Sequence, residues 1–451
     1  MASNTSPLHE EGVYVPEIDL EDFESYTVGG YHPTKIGDTF HHSRYEVVHK
    51  FGFGGYSTVW LARDKHLQRY VSLKILVAEE SSKSTEGTIL RMLCNSSNSG
   101  HPGQQFVPHL LDEFSLDGPN GHHTCLVQEP ASCNTSASKE DSVDFMFPVE
   151  TARSIAAQLI IGISYLHSRE VCHGDLHLRN FLLCGPDLNY ISPNELYKRY
   201  RLDKAPVRRV DGTAVEPHAP PYAVYPMHIK MSADKLVDPT IKISDYGTSF
   251  TVSTETCPKL HTPALYLPPE DFFGEPITQA ADIWTLGVSL YEVLGERALF
   301  ETFGWDRDDI MADMISTLGP PPTRWWDKWE NRKEFFEPDG TWVRNIKRIY
   351  TPAFRPLHQR MWDMGRGETH KTCQWDVERG EMRALEELLR GMMAFEPAER
   401  LTAEQLMRIG NDAKIVGKSI IQQGTSTVAE APKATVKLEP NARERYLRPE
   451  T

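Results

Sequence analysis

The hydrophobic pattern of this chain changes period at Pro130, and that change leaves few folds open. Upstream, Tyr45-Glu-Val-Val-His-Lys, Ser57-Thr-Val-Trp-Leu-Ala and Tyr70-Val-Ser-Leu-Lys-Ile-Leu are short runs rich in β-branched and aromatic residues, separated by turns. Such runs predict a twisted antiparallel sheet, with one helix from Glu86 to Leu93. Leu126-Val127-Gln128-Glu129-Pro130 reads as a further strand stopped by proline, a natural hinge. Downstream, Ile155, Leu159, Ile163 and Leu166 recur at i, i+4, i+8 and i+11, one apolar stripe on a long helix. Asp282 to Leu294 and Glu381 to Met393 predict further helices, and Thr402 with Gln405 predicts a capping box for the last one. The expected fold is α+β and bilobal: a small antiparallel-β lobe over 45–129 and a larger, mainly helical lobe over 130–410.

Length and composition are consistent with this. A chain of 451 residues has room for two to three average domains or one large bilobal one. Its 39% hydrophobic and 10% aromatic content supports a real core. Residues 1–44 are turn-rich, with Glu17, Asp19, Glu21, Asp22 and Glu24 crowded together, and predict an acidic extension over the surface or partly disordered. Between Phe181 and Asp245, prolines such as Pro186, Pro193, Pro206, Pro217, Pro220, Pro221 and Pro226 mark a stretch too long for a hairpin. Two strands and a turn need only about fifteen residues, so an insertion is expected over about 186–238. After Gly410 small polar residues dominate, and 411–451 reads as a disordered tail.

The same inventory bounds the setting. Seven scattered cysteines, an odd number, do not form a disulfide framework and suit a reducing compartment. The polar, acidic start does not resemble a secretory signal. The longest apolar stretch, Ile155 to Leu166, contains Gln158 and Ser164 and is short for a membrane span. A monomer in the cytoplasm, the nucleus or both is expected, away from membranes. The net charge of −15 disfavours nucleic acid as a direct partner and favours basic ones.

Within this frame, His173-Gly174-Asp175-Leu176-His177-Leu178-Arg179-Asn180 is followed downstream by Asp245-Tyr246-Gly247. An aspartate, an asparagine five residues on and a later Asp-aromatic-Gly turn form the layout of a phosphoryl-transfer site. Asp175 would orient a hydroxyl and accept its proton, and Asn180 and Asp245 would hold Mg2+. Phe51-Gly52-Phe53-Gly54-Gly55-Tyr56-Ser57-Thr58-Val59 is a glycine-rich loop whose bare backbone suits phosphates, with Val59 able to cover an adenine ring. Alone, such a loop is equally a dinucleotide fingerprint or an ordinary turn. A dinucleotide fold opens a helix here, whereas Trp60-Leu-Ala and Val71-Ser-Leu-Lys74 continue as strands, which favours a hairpin over ATP. Lys74 then falls where a lysine reaches the α and β phosphates, and Glu86 is its natural partner. The plain alternatives are an edge lysine and an exposed helix glutamate. Gln128 and Glu129 stand at the hinge, beside the expected base.

Pro268-Pro269-Glu270 lies 25 residues after Asp245, Asp282-Ile283-Trp284-Thr285-Leu286-Gly287 follows, and Arg400 is placed to pair with Glu270. With these motifs the chain resembles the eukaryotic protein kinase superfamily over roughly 45–410. Within it, Gly29-Gly30-Tyr31-His32-Pro33-Thr34-Lys35-Ile36-Gly37-Asp38, with Ser57 to Ala62, resembles the SR-protein kinases, especially their fungal members. The resemblance implies a serine/threonine kinase that uses ATP and Mg2+ on a basic, arginine/serine-rich protein such as a splicing factor. The alternative is a pseudokinase scaffold that binds nucleotide or partners without turnover.

Several residues depart from the family pattern. His177 stands where most protein kinases carry a lysine that steadies the transferred phosphate. The His-Gly-Asp-Leu-His…Asn run is similar to the catalytic loop of aminoglycoside and choline kinases, which lack the Pro-Pro-Glu, Asp-x-Trp and distal arginine found here. Gly174 replaces the arginine that usually reads an activation-loop phosphate, and Thr262-Pro263 shifts the usual threonine by one place. Asp306, Asp308, Asp309 and Asp313 cluster before an apolar helix. They read either as a solvated helix start or as a docking surface for arginine-rich substrate.

Overall fold

The runs upstream of Pro130 form one six-stranded antiparallel sheet in the order β1-β2-β3-β4-β6-β5. Its strands are β1 (Thr39–Phe40), β2 (Tyr45–Gly54), β3 (Ser57–Asp64), β4 (Arg69–Leu76), β5 (Leu110–Gly118) and β6 (Gly121–Gln128). The computed structural model describes residues 12–95, 100–252, 259–302, 306–343 and 354–412, apart from the side chains of 410–412. The tail expected over 411–451 lies almost wholly outside the described residues. Successive side chains on a strand face opposite ways, and here both faces are buried. Tyr45, Val47, Trp60, Ala62, Val71, Leu73 and Ile75 pack on one face, and Val48, Leu61 and Tyr70 on the other. This explains why the strands read as nearly unbroken apolar runs.

Helices α1 (Ala78–Ser81) and α2 (Glu86–Cys94) follow β4. The larger lobe opens with α3 (Thr135–Glu140) and α4 (Val149–Ser168), whose predicted stripe Ile155, Leu159, Ile163 and Leu166 is fully buried. Short strands β7 (Val171–Cys172), β8 (Phe181–Leu183), β9 (Lys204–Pro206), β10 (Tyr222–Val224), β11 (Ile241–Ile243) and β12 (Phe250–Thr251) follow, with α5 (Pro193–Arg199) between β8 and β9. They pair as β7 with β12, β8 with β11 and β9 with β10. Helices α6 (Pro269–Phe272), α7 (Gln279–Leu294), α8 (Arg307–Leu318), α9 (Thr323–Lys328), α10 (Leu357–Asp363), α11 (Glu381–Met392) and α12 (Ala403–Asp412) complete the lobe. The capping box before α12 forms: Gln405 N–H donates to Thr402 Oγ1 at 3.2 Å, and Thr402 N–H to Gln405 Oε1 at 2.7 Å.

The β8–β11 hairpin is the one expected between Phe181 and Asp245, and the inserted chain leaves from its end. That chain does not stay with the larger lobe. Its Leu188, Leu196, Met227 and Ile229 pack against Val48, Leu61 and Tyr70 of the sheet. Met227 N–H donates to Lys50 O at 2.7 Å, Tyr197 hydroxyl to Val48 O at 3.0 Å, and Tyr70 N–H to Asn189 Oδ1 at 2.6 Å. The N-terminal segment is likewise more than a surface strip, for Tyr14, Leu20, Phe23, Tyr26 and Tyr31 share one apolar cluster with Ala205, Val207, Ala219 and Ala223 of the insertion. Its acidic residues alternate with these anchors. Glu21 is buried in an ion pair with Lys50, and Asp22 caps a short 3-10 turn.

The aspartates at the start of α8 also serve the fold: Asp306 precedes the helix, and Asp308, Asp309 and Asp313 lie within it. Asp306 is the N-cap of α8, its side chain accepting from Asp308 N–H at 2.9 Å. The Asp308 carboxylate accepts from Trp329 Nε1 and Asn331 Nδ2, and Asp313 pairs with buried Arg360. Negative side chains at a helix start are favoured by its dipole.

The predicted Glu270–Arg400 pair is present and deeply buried, with Nη1–Oε1 at 2.8 Å and Nη2–Oε2 at 2.6 Å. Arg400 also donates to the carbonyls of Ala280, Ala394 and Phe395, so the guanidinium fork is well satisfied. Removing one partner strands a buried charge. Arg400→Leu should therefore lower unfolding free energy by about 3–5 kcal/mol in a urea titration, and Glu270→Leu added to it should recover part of the loss. A deficit under about 1 kcal/mol would show the pair to be dispensable.

Candidate active site

Six segments converge where the lobes meet: the β2–β3 hairpin, β4, α2, the end of β6, the Asp175 loop and the segment after β11. The β2–β3 hairpin supplies the glycine-rich turn: Gly54 pairs with Ser57, leaving Gly55 and Tyr56 as the two-residue connection. A Cβ built on Gly52, Gly54 or Gly55 would meet nothing within 4 Å, so the backbone is bare to open space. The side chains after the turn behave differently. Ser57 and Thr58 are buried in the sheet, and Thr58 Oγ1 accepts from Trp60 Nε1 at 3.0 Å, so they offer the cleft backbone only. Val59 is half-buried opposite Lys74 on β4. Phe51 packs toward the insertion cluster, and Phe53 lies under the Lys50 ammonium, 5.3 Å from the ring centre. Gln128 ends β6 opposite Ser72, half-buried, with Glu129 exposed beyond it.

Lys74 links the two lobes. Its ammonium lies 2.9 and 2.8 Å from the two Glu86 oxygens and 2.8 Å from Asp245 Oδ1. Burial alone disfavours its charge, but the Asp245 and Glu86 carboxylates outweigh that and raise its pKa above the usual lysine value. Asp245 is in turn held below the usual carboxylate range, chiefly by the Lys74 ammonium. Asp245 sits at φ +67°, the left-handed region seldom used by non-glycine residues. That geometry turns its carboxylate back toward Lys74, while Tyr246 is fully buried.

Asp175 and its neighbours form the floor. Asn180 Nδ2 donates to Asp175 O at 2.9 Å and to Asp175 Oδ2 at 3.0 Å. Asp175 Oδ1 is left without a hydrogen-bond partner, and the His177 ring Nε2, 3.4 Å away, lacks the alignment to serve as one. His177 Nδ1 accepts from Arg179 N–H at 3.2 Å, capping the turn before Asn180, and its Nε2 lies 3.3 Å from Asn180 Nδ2. Ser244 N–H and Oγ–H both donate to Asn180 O, at 2.8 and 2.9 Å, which joins this floor to Asp245.

The anchor beneath is Asp282, fully buried at the start of α7. Its Oδ2 accepts from His173 N–H at 2.7 Å and the His167 ring at 3.0 Å, and its Oδ1 from Gly174 N–H at 2.9 Å. Gly174 has φ +79°, and a Cβ there would come within 3.1 Å of Thr248 O, so a side chain at this position is strained. The Thr262 hydroxyl donates to Gly174 O at 2.8 Å, tying the segment after Asp245 to the Asp175 loop. Asp282 had appeared in the sequence only as a lobe marker, and neither its hold on His173 and Gly174 nor the part of Thr262 was legible.

Residues 45–190 and 229–409 match the family model described as protein kinase domain. The chain belongs to the protein kinase family. The match passes over 191–228, the stretch that carries α5, β9 and β10 and packs on the sheet. A serine/threonine protein kinase of Aspergillus fumigatus is 28% identical over 344 residues, covering 73% of this kinase and 79% of the relative. A kinase of Physarum polycephalum named serine/threonine-protein kinase SRPK is 27% identical over 401 residues, covering 86% and 90%. SRSF protein kinase 3 of Homo sapiens is 36% identical over 172 residues, 38% of this kinase and 30% of the relative. The kinase is a serine/threonine protein kinase of the SRPK-like type.

Two substitutions test the frame of the site. Burial would raise the Asp282 carboxyl, but the bonds from His167 and Gly174 and the nearby His173 ring hold it below its usual value. A folded pKa below the unfolded one gives stability that is present above the ordinary carboxylate range and lost as pH falls through the folded value. Asp282→Asn should thus cost about 3 kcal/mol at pH 7, and the deficit should shrink as pH falls below about 4. A pH-independent deficit in denaturant titrations would reject the charged anchor. The Tyr246 hydroxyl, by contrast, is buried without a hydrogen-bond partner. Tyr246→Phe should melt at or above the wild-type temperature, because it removes an unsatisfied polar group.

Proposed function

We propose that this serine/threonine protein kinase transfers the γ-phosphate of ATP, with Mg2+, to serine or threonine in arginine/serine-rich proteins such as splicing factors. The observation that carries the phosphotransfer reading is the Lys74 ammonium held 2.8 Å from both Glu86 and Asp245, with Asp175 Oδ1 left unbonded beside Asn180. The residues fit the groups. An amide and a carboxylate, Asn180 and Asp245, are hard oxygen donors too few to enclose a cation, which suits an ion that keeps phosphate oxygens among its ligands. Among the described residues no set of three or more His, Cys, Asp or Glu side chains forms a dedicated metal cage. Mg2+, when bound, would neutralise phosphate charge.

The chain's own residues do the rest. Asp175 orients the incoming hydroxyl and takes its proton at Oδ1. Asn180 fixes Oδ2 of that carboxylate and leaves Oδ1, buried and without a hydrogen-bond partner, for the hydroxyl. Lys74, kept charged by its two carboxylates, binds phosphate oxygens, and Glu86 holds the ammonium at its post. The bare backbone of Gly52 to Gly55 lies over the phosphates, and Val59 with the hinge at Gln128 and Glu129 borders the base. His177 supports the floor by capping the turn before Asn180. Catalysis on this scheme is positioning plus charge stabilisation.

The substrate class rests on two supports: the relatives named SRPK and SRSF protein kinase, and the net charge of −15. An acidic enzyme concentrates basic peptide near its surface, an effect that salt weakens. Arginine's rigid fork pairs with carboxylates in a bidentate way that lysine does not match. An Arg-Ser repeat peptide should therefore be phosphorylated faster than its Lys-Ser analogue at low salt. Equal rates would remove the arginine preference and leave the kinase standing. Asp175→Asn should retain ATP binding in a thermal-shift assay while losing turnover by at least about 10²-fold; turnover at the wild-type rate would refute the proton acceptor.

A further inference from the structure

The Gly29-Gly30-Tyr31-His32 run has a steric logic that leads to the phosphate loop. Gly29 sits at φ +93°, and its N–H donates to Asn120 O at 2.8 Å. A Cβ on Gly30 would lie 1.8 Å from Ser25 O, so only glycine lets the chain double back there. The fold-back is held by Tyr31 N–H donating to Ser25 O at 2.9 Å and Gly30 N–H to Thr27 O at 2.9 Å. Its outer edge is fixed to α1, where Glu79 N–H donates to Gly29 O and Ala78 N–H to Gly30 O. Asn120 Nδ2 donates to Tyr31 O at 2.6 Å. The turn thus delivers Tyr31, 3% exposed, with its hydroxyl donating to Gly54 O at 2.8 Å. Gly54 is the last residue of β2 before the Gly55-Tyr56 connection.

A second fastening lies just below. Lys50, four residues before Gly54, forms the fully buried ion pair with Glu21, and the Tyr26 hydroxyl donates to Glu21 Oε1 at 2.6 Å. The rings of Tyr26 and Tyr31 meet edge to face, 5.5 Å between centres. Burial and the nearby Glu21 push the Tyr31 hydroxyl up to about 12, so it remains a proton donor at neutral pH.

We propose that Tyr31 is a positioning residue of this kinase: from outside the matched kinase domain, its hydroxyl ties the Gly54 carbonyl and holds the glycine-rich turn in place for nucleotide phosphates. The glycines make that turn bare and therefore loose, since glycine has the largest backbone freedom to lose. Their added Cβ atoms would touch nothing, so packing does not restrain Gly52, Gly54 or Gly55 directly. The Tyr31 bond supplies restraint without occupying that open space. The inference rests on the phosphotransfer reading for its kinetic consequence but not for its structural one.

The experiment compares wild type with Tyr31→Phe, which keeps the ring and removes the hydroxyl that bonds Gly54 O. Amide hydrogen exchange without nucleotide should be roughly threefold to tenfold faster at residues 54–57, the effect of one lost hydrogen bond on local opening. Exchange in β4 and α2 and the melting temperature should stay as in wild type. With ATP varied at saturating peptide and magnesium, KM for ATP should rise by roughly threefold to tenfold, with kcat within about twofold. Unchanged exchange at 54–57 would overturn the proposal, and so would faster exchange across the whole sheet with a lower melting temperature, which would make Tyr31 a packing residue. A wild-type protein without phosphotransfer would defeat the kinase reading alone, because exchange still decides the tie.

Discussion

A single buried carboxylate holds the loop of Asp175 to the core. Asp282 sits at the head of α7, the most deeply enclosed long helix of the larger lobe, and accepts three donors from the chain around Asp175. Backbone N–H groups inside a protein must find partners, and those of His173 and Gly174 lie on a loop with no ladder to join. The carboxylate gives both a charged acceptor, stronger than a carbonyl would be. The loop's left-handed glycine, the buried His173 ring and the Thr262 tie can then settle on that fixed point. The position of Asp175 is thus set from below by α7, and from the side by Asn180.

The upper half of the site depends on charge balance. Glu86, Asp245 and Lys74 come from α2, the segment after β11 and β4, three elements of no sequence proximity. Two carboxylates side by side in a cleft would repel, and the one ammonium between them reverses that. The helix position, the backbone bend at Asp245 and the lysine rotamer are therefore one cooperative unit.

The sequence announced this site in unequal measure. The spacing of Asp175, Asn180 and Asp245 with Lys74 drew attention to four residues that the fold brings to one cleft, and the sheet and long helices were legible because burial imposes periods of 2 and 3.6. The Glu270–Arg400 pair was legible for the same reason that an arginine in an apolar lobe must find a carboxylate. Other features depended on long-range geometry. The acidic stretch near residue 20 looked solvated because its charges dominate composition, while Phe23, Tyr26 and Tyr31 between them carry the burial. A sequence does not show that Trp329 and Asn331 return to Asp308, or Arg360 to Asp313. The Pro-rich insertion was seen as extra length, but nothing local says that Leu196 and Met227 cover a β-sheet of the other lobe.

That insertion changes the mechanics of the hinge. A kinase whose lobes meet through one extended linker behaves like a pair of bodies on a ball joint, free to bend and to twist. Here the backbone crosses three times: once after β6, once outward through Leu188 to α5, and once back after Met227. Attachments at separated points resist twisting of one lobe against the other more than a single linker would. The β9–β10 ribbon lies between the second and third of these crossings, so it belongs to the connection between the lobes as much as to either lobe.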